Sequence, residues 1–342
     1  MHSVFYLLKR FAVQIRRENL HRVLIVVVML IVMASVAFWL IEPDQNFPDA
    51  LWWSIVTATT VGYGDISPAS FGGRIVGVLL MILGIGFLGV LTATIASVFV
   101  ENKLMENKGM RTSTAKGHFG ICGWNFKGFD IVAELRADEK SRNLPIVIIA
   151  PIDEKPIDDP DLHFIRGEIT SETLEKANIG EAHTVMVLSN DSLELNVRDA
   201  KTILNTLTIK SLYPEVYACV ELVESKNIEH CQMAKADEII VVGELSTNLM
   251  VQASLDHGIT HMVTELVSNR YGSQLYKVGI PDSFVGQTFF DVMCRLKNES
   301  GILCLGVEKK KDHRLIANPE AEFRLSREDE LVVIATSRPE LS

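Results

Sequence analysis

Three stretches of the 342-residue chain hold residue types in patterns that could do chemistry. The first is TATTVGYGD, residues 57–65, with hydroxyls at Thr57, Thr59, Thr60 and Tyr63, glycines at 62 and 64, and one carboxylate, Asp65. It has no nucleophile–base pair and no metal-ligand spacing. Its resource is backbone, because glycine adopts angles that L-residues avoid, so that successive carbonyls can point the same way. The second is Gly123-Trp124-Asn125-Phe126-Lys127-Gly128, a G-x-G-x-x-G phosphate-loop pattern with Asn125 at the second glycine. The third is a dispersed set of acids, Asp191 with Glu194 and Glu221 with Glu224 around the apolar Val223. Such oxygens suit calcium only when several converge.

Bulk composition narrows the class. A net charge of -10 argues against a nucleic-acid binder, which needs clustered Lys and Arg. The five cysteines (122, 219, 231, 294, 304) form no C-x-x-C pair and read as reduced thiols, not a disulfide frame or zinc site. Positive charge is concentrated at the start, in Lys9, Arg10, Arg16, Arg17 and Arg22, while Glu42 to Asp65 carries acids and no Lys or Arg.

The elements that would position the first stretch are two apolar runs. Val23 to Ile41 is uncharged with one hydroxyl, Ser35, and extends roughly 28 Å as a helix, close to a bilayer core. It is too long for the apolar region of a signal peptide. Ile75 to Val100 is a second uncharged run. Basic residues before the first run, and Lys103, Lys108, Arg111 and Lys116 after the second, predict that both termini are cytosolic. Segment 42–74 then faces outward, with the chain in the cell's inner (plasma) membrane. Pro48 and Asp49 open a short helix to about Thr59, too short to span, followed by the glycine-bearing stretch. Extended backbone at membrane depth needs protein around it or a watery path. The expectation is a pore unit over 23–100: spans 23–41 and 75–100, with the helix and loop at 48–65 between them.

TVGYG at 60–64, after a short Trp-rich helix and between two spans, resembles the selectivity filter of potassium channels. The resemblance implies a homotetramer in a lipid bilayer. Rings of carbonyl oxygens from Thr60, Val61, Gly62 and Tyr63, with the Thr60 hydroxyl at the inner end and Gly64 completing the motif, would replace the hydration shell of K+. Trp52, Trp53 and Tyr63 are expected as an aromatic cuff behind it, with Asp65 leaning on Trp52. Some members pair this aspartate with a glutamate on the pore helix; here the position is Val56. Of the glycines at 84, 86 and 89, Gly84 falls where the family carries a gating hinge, whereas Gly86 and Gly89 read equally as hinge or close helix packing. Ala93, Ala96 and Ser97 are candidates for the inner mouth.

Residues 101–116 are polar and read as a linker. Short apolar strands then alternate with helices from Phe119 to Val242, the pattern of a parallel sheet covered on both faces, a Rossmann-like lobe over 117–242. FIRGEITSETLEKANIGEAHTVMVLSND and ESKNIEHCQMAKADEII resemble the N-terminal lobe of RCK domains, the regulators of potassium conductance. Residues 243–272 would be the crossover and dimerisation helices, and 273–342 the small α+β C-terminal lobe. The fold class expected is a two-span helical pore with a re-entrant helix, joined to an α/β RCK domain whose copies pair into a gating ring.

Family members answer calcium or adenine nucleotides. For a nucleotide such as NAD or ADP/ATP, the residues at strand ends are Gly123, Asn125, Gly128, Asp153, Arg166, Glu168, Asn190 and Asp191. For calcium they are Glu221 and Glu224. The sequence leaves the choice, the sign of the response and the number of RCK domains per ring open. Two other classes fit the sequence less well. A membrane-anchored NAD-dependent dehydrogenase would need an acid–base constellation that the nine histidines do not form. A regulatory subunit of a separate transporter would not need its own filter.

Overall fold

The structure is a computed structural model that describes residues 20–311 and 314–341. The basic residues Lys9, Arg10, Arg16 and Arg17 lie outside the described residues. The chain divides into two compact units, Met1–Met105 and Glu106–Ser342.

The first unit is helical. α1 (Leu20–Ile41) and α3 (Phe71–Asn107) flank the short α2 (Phe47–Ala58). Among the described residues, α3 is the helix long and apolar enough to cross a bilayer. Apolar side chains cover most of its outside, including Ile82, Ile85 and Phe99, as they do on α1 at Met33 and Leu40. Exposure of that kind is unfavourable in water and natural in lipid or against neighbouring helices. α2 begins where Asn46 caps it, accepting from Asp49 N at 2.9 Å, with Pro48 in the first turn. Its inward residues Ala50, Trp53 and Ala58 pack with Ala34, Phe38 and Leu80 into one small core.

The helix that carries the expected span 75–100 is longer than that span. α3 runs on as a helix to Asn107, so the first seven residues of the expected linker 101–116 are helical. Glu101, Asn102, Lys103 and Leu104 are good enough helix formers to continue an established helix without apolar periodicity, since propagation needs no new nucleus.

The second unit opens with a six-stranded parallel sheet. Its strands are β1 (Phe119–Cys122), β2 (Ile146–Ala150), β3 (Leu162–Arg166), β4 (Thr184–Val187), β5 (Tyr217–Leu222) and β6 (Glu238–Val241), in the order β3-β2-β1-β4-β5-β6. The central strands are mostly apolar because helices cover both faces, and β2 is apolar and buried throughout. The covering helices are α4 (Lys127–Ala137), α5 (Ser171–Lys176), α6 (Leu195–Leu212) and α7 (Ile228–Met233). Burial pushes the Cys122 thiol up to about 12 and those of Cys219, Cys231 and Cys304 to about 11, so these sulfurs stay protonated and inert.

Two buried charges fix α6. Asp199 accepts Val223 N at 2.9 Å, Glu224 N at 3.0 Å and Asn227 Nδ2 at 2.7 Å. Lys210 donates to Val216 O at 2.9 Å and Asp237 Oδ2 at 2.8 Å. Each buried charge is thus paired or fully hydrogen-bonded, as low-dielectric burial requires.

After β6 the chain forms α8 (Val242–Leu255) and α9 (Ile259–Val267), with Leu245, Met250, Leu255, Met262 and Val267 exposed. A smaller antiparallel sheet follows, of β7 (Gln274–Gly279), β8 (Leu303–Lys309), β9 (Arg314–Ala317) and β10 (Asp329–Ala335) in the order β7-β10-β8-β9. α10 (Phe289–Ser300) buries Phe289, Val292 and Leu296 against it. Glu134 on α4 holds the end of α9 through Asn269 N at 2.6 Å and Arg270 at 3.1 Å.

Candidate functional site

The residues of the expected filter are held from behind by α2. Val56 O, at the end of that helix, accepts Val61 N at 3.0 Å and Gly62 N at 3.3 Å. Two amides of the loop are therefore spent on the helix, which leaves the carbonyls of the stretch to point elsewhere. Backbone φ is +61° at Thr60, +56° at Gly62 and +76° at Gly64. Gly62 and Gly64 accept such angles freely. Thr60 does not, since a β-branched residue is strained in the left-handed region. The sequence identified the two glycines; nothing in it marked Thr60 as a third left-handed position.

Trp52 Nε1 donates to Asp65 Oδ2 at 2.9 Å, and the Trp52 ring stacks on Tyr63 with centroids 6.0 Å apart. Within this chain Trp53 does not join that stack. It lies against Phe38 of α1 at 3.9 Å, where it tightens the contact between first span and pore helix. Thr59 Oγ1 caps α2 by donating to Ile55 O at 2.7 Å. At the N-terminal end of α3, Glu42 accepts from Ser70 N and Ser70 Oγ at 2.9 and 2.7 Å. Those bonds, the Ser70 amide first, hold its carboxyl below the usual range.

Gly84 is a site of close packing. A β carbon there would sit 2.9 Å from Ala58 O and 3.1 Å from Ala58 Cα, so only glycine lets α3 approach the end of α2. Gly86 and Gly89, by contrast, meet nothing within 4 Å in this chain.

In the second unit a small cavity of about 140 Å³ lies among the residues that follow β1, β2, β3 and β4. Strand order reverses between β1 and β4, the place where open α/β sheets bind ligands. Gly123 turns out of β1 with φ +90°, and a β carbon there would lie 2.8 Å from Leu188 O. Gly123, Glu168 and Asn190, three of the expected nucleotide residues, line the cavity. The α6 residues Lys201, Thr202 and Asn205 also line it, with Lys201 paired to Glu168 at 2.8 Å. Sequence reasoning missed all three, although 201 and 205 fall one turn apart.

Five of the expected ligand residues do not line the cavity, and each has another partner. Asn125 Nδ2 donates to Ser189 O at 2.9 Å, and its Oδ1 accepts Lys127 N at 3.0 Å. This side chain therefore fills and caps the loop where a second glycine would leave room for phosphate. Gly128 makes space for the Trp124 ring, which stands edge-on to Phe129 at 5.2 Å. Asp153 pairs with Arg166 at 2.7 Å, and Asp191 with Arg198 at 3.2 Å.

The expected calcium residues are likewise engaged apart from one another. Glu221 is buried and takes Lys127 Nζ, Asn125 Nδ2 at 3.5 Å and Ser189 N at 3.2 Å. Glu224 pairs with Lys226 at 2.7 Å. Among the described residues no three Asp, Glu, His or Cys side chains gather as a metal-holding group.

A re-entrant helix whose end carries left-handed, carbonyl-bearing backbone, followed by a parallel sheet in 3-2-1-4-5-6 order, defines an ion-channel pore joined to a Rossmann-fold regulator. Comparison with known proteins bears on both parts. Residues 25–101 match the ion channel family model, 114–220 the calcium-activated potassium channel slowpoke-like RCK domain, and 232–341 the Castor and Pollux part of voltage-gated ion channels. The calcium-gated potassium channel TvoK of Thermoplasma volcanium is 30% identical over 87% of this chain and 84% of its own. The putative potassium channel protein YugO of Bacillus subtilis is 24% identical over 92% and 95%. The gating ring of human SLO3 shares the fold at 19% identity and TM-score 0.52, covering 64% of this chain and 44% of that one. The chain belongs to the family of potassium channels that carry an RCK domain, and it is a membrane protein.

Proposed function

We propose that four copies of this chain surround a K+ path lined by the carbonyls of Thr60, Val61, Gly62 and Tyr63, with Gly64 turning the chain outward. Trp52 and Asp65 brace the outer end of the filter, and Trp53 braces the pore helix. The exposed apolar faces of α1 and α3 meet lipid and neighbouring subunits, and those of α8 and α9 pair RCK domains into a ring. The charges at Arg22, Lys103, Lys108 and Arg111 favour both ends on the cytosolic side of the plasma membrane. Gly84 is the pivot of the inner helix. Its contact with Ala58 anchors the helix, and the unobstructed Gly86 and Gly89 let it bend beside that contact.

The ligand that sets the gate is an adenine nucleotide or NAD, bound at the β1–β4 switch. The observation that carries this reading is the cavity there, with Gly123 at its turn and Lys201 as a cation in its wall. At about 140 Å³ it is smaller than the roughly 300–1,000 Å³ of sites that enclose whole small molecules. A nucleotide must therefore favour a widened cleft over the one described. That differential affinity is what a gating ligand requires, because equal affinity shifts nothing. Opening is cheap: the half-exposed Lys201–Glu168 pair contributes at most about 1 kcal/mol, and a phosphate can replace Glu168 as the lysine's partner.

Calcium is the second reading, favoured by the relative TvoK, a calcium-gated channel. The engagement of Glu221 by Lys127 weighs against it at this position. Equilibrium binding of ADP, NAD and calcium to the purified full-length protein tests the choice. Saturable nucleotide binding, weakened at least tenfold in Lys201→Met, supports the cleft. Calcium binding with no nucleotide binding would replace this reading with the second.

A further inference from the structure

The segment after α3 is not a slack tether. Lys155 N donates to Asn107 O at 2.7 Å, and the nearly buried Lys155 ammonium reaches Asp159 O at 2.7 Å and Glu106 at 3.7 Å. Gly109 then turns with φ +66°, and its carbonyl accepts Arg166 N at 3.0 Å. β3 is the edge strand of the sheet, so Arg166 N–H would otherwise be an open edge donor. A β carbon on Gly109 would collide with that same nitrogen and approach the Phe164 ring to 2.8 Å, so no other residue fits this turn with the bond in place. Met110, Arg111 and Thr112 are exposed. Arg111 reaches back to Glu106 at 3.9 Å, and Ser113 N donates to Lys176 O at 2.7 Å.

Immediately beyond Arg166 the chain reaches the cleft. Gly167 and Glu168 both line it, and Gly167 N is tied to Ala150 O at 3.0 Å. The strand end that walls the cleft and the strand end that holds the helix terminus are therefore consecutive residues.

We infer that Gly109 and Lys155 are the positioning residues of gating: they clip the end of the inner helix to β3, so that displacement of β3 by cleft opening reaches the pore at residues 107–109 and not through 110–117. This rests on the reading that the cleft's occupant sets the gate. Its test uses the full-length channel in liposomes with K+ flux as readout, ADP as probe, and three variants. Gly109→Ala breaks the clip. Lys155→Ala removes the ammonium, with Lys155→Arg as the conservative rescue. A short flexible Gly-Ser insert between Arg111 and Thr112 adds slack beyond the clip without touching it.

The expected result is loss of the ADP-dependent change in flux in Gly109→Ala and Lys155→Ala with ADP binding retained, recovery in Lys155→Arg, and a wild-type response in the insert. A binding readout separates this from a merely structural defect. Wild-type response in Gly109→Ala, or loss in the insert as deep as in Gly109→Ala, overturns the clip. Where wild type ignores ADP altogether, the parent reading fails and basal flux decides: the clip predicts that Gly109→Ala shifts it and the insert does not, and any other pattern overturns it. Should Gly109→Ala fail to assemble, the insert alone decides, since a pull transmitted through 110–117 cannot survive added slack.

Discussion

Gly84 and Ala58 meet backbone to backbone, with room for a hydrogen but not for a methyl group between them. The contact joins the inner helix to the end of the pore helix, two residues before the left-handed Thr60. Gly84→Ala should therefore act on both gate and filter. Overpacking of this kind costs about 1–3 kcal/mol. The expected outcome is an altered open probability together with a less heat-stable tetramer. Gly86→Ala meets no such obstacle within the chain and gains up to about 1 kcal/mol of helix propensity. It should leave tetramer stability equal or higher while shifting open probability. Thermal dissociation followed on gels, with single-channel recordings beside it, separates the two.

The Trp52–Asp65 bond is the brace that remains where the pore helix carries Val56 in place of a carboxylate. A hydrogen bond to a charged group is worth about 1.5–3 kcal/mol. Trp52→Phe keeps the ring against Tyr63 and removes the donor. Macroscopic K+ currents through it should decay during sustained opening faster than those of wild type, with K+ over Na+ selectivity retained at early times. Equal decay would show that the outer filter is held by other contacts.

Asp199 accepts three hydrogen bonds from the turn after β5 while almost fully buried. Asp199→Ala strands those donors at about 1–3 kcal/mol each. We expect loss of several kcal/mol from the Rossmann lobe, seen as lost hydrogen-exchange protection across Tyr217–Leu222, while the C-terminal sheet keeps its protection.

Two histidines lie beside the segment that leads into β1. Burial pushes His118 below its ordinary value of 6.5, and the nearby His163 adds to the effect against the pull of the Ala115 carbonyl. His163 is also pushed down, by burial first and then by Lys155, with Glu106 and Asp161 opposing. Both rings are neutral above about pH 6.5 whether folded or unfolded, so they contribute no pH dependence there. As pH falls through 6.5, the unfolded state takes up protons that the folded state resists. Stability is lost until the pH reaches the lowered folded values. Protection factors of segment 113–119, with the slower intrinsic exchange in acid divided out, should therefore fall between pH 7 and pH 5, and less so in His163→Gln.

Much of this architecture was legible because it rests on local pattern. Alternating apolar runs and helical faces gave the parallel sheet, and TVGYG between two spans pointed to a filter. What the sequence hid depends on contacts distant along the chain. Asn125 could be seen as a departure from glycine, but not that its amide reaches across to Ser189 and closes the loop. The pairing of Glu221 with Lys127 joins residues far apart along the chain, so spacing does not reveal it. Lys201, Thr202 and Asn205 lie on a helix that Asp199 and Lys210 tie to turns distant along the chain. The polar stretch 101–116 gave no apolar period, so neither its helical start nor its edge-strand clip could be read from composition. Thr60's left-handed backbone is imposed by bonds to Val56, which propensity cannot reveal.

The central claim is a K+-selective pore whose gate answers a nucleotide in the β1–β4 cleft. Planar-bilayer recording of the purified channel, with high K+ and low Na+ on one side, the reverse on the other, and ADP then NAD added to the cytosolic face, tests it most directly. The account predicts currents that reverse at the K+ equilibrium potential and an open probability that changes on nucleotide addition, with the change lost in Lys201→Met. Currents that reverse toward the Na+ potential, or an open probability indifferent to both nucleotides, would contradict it.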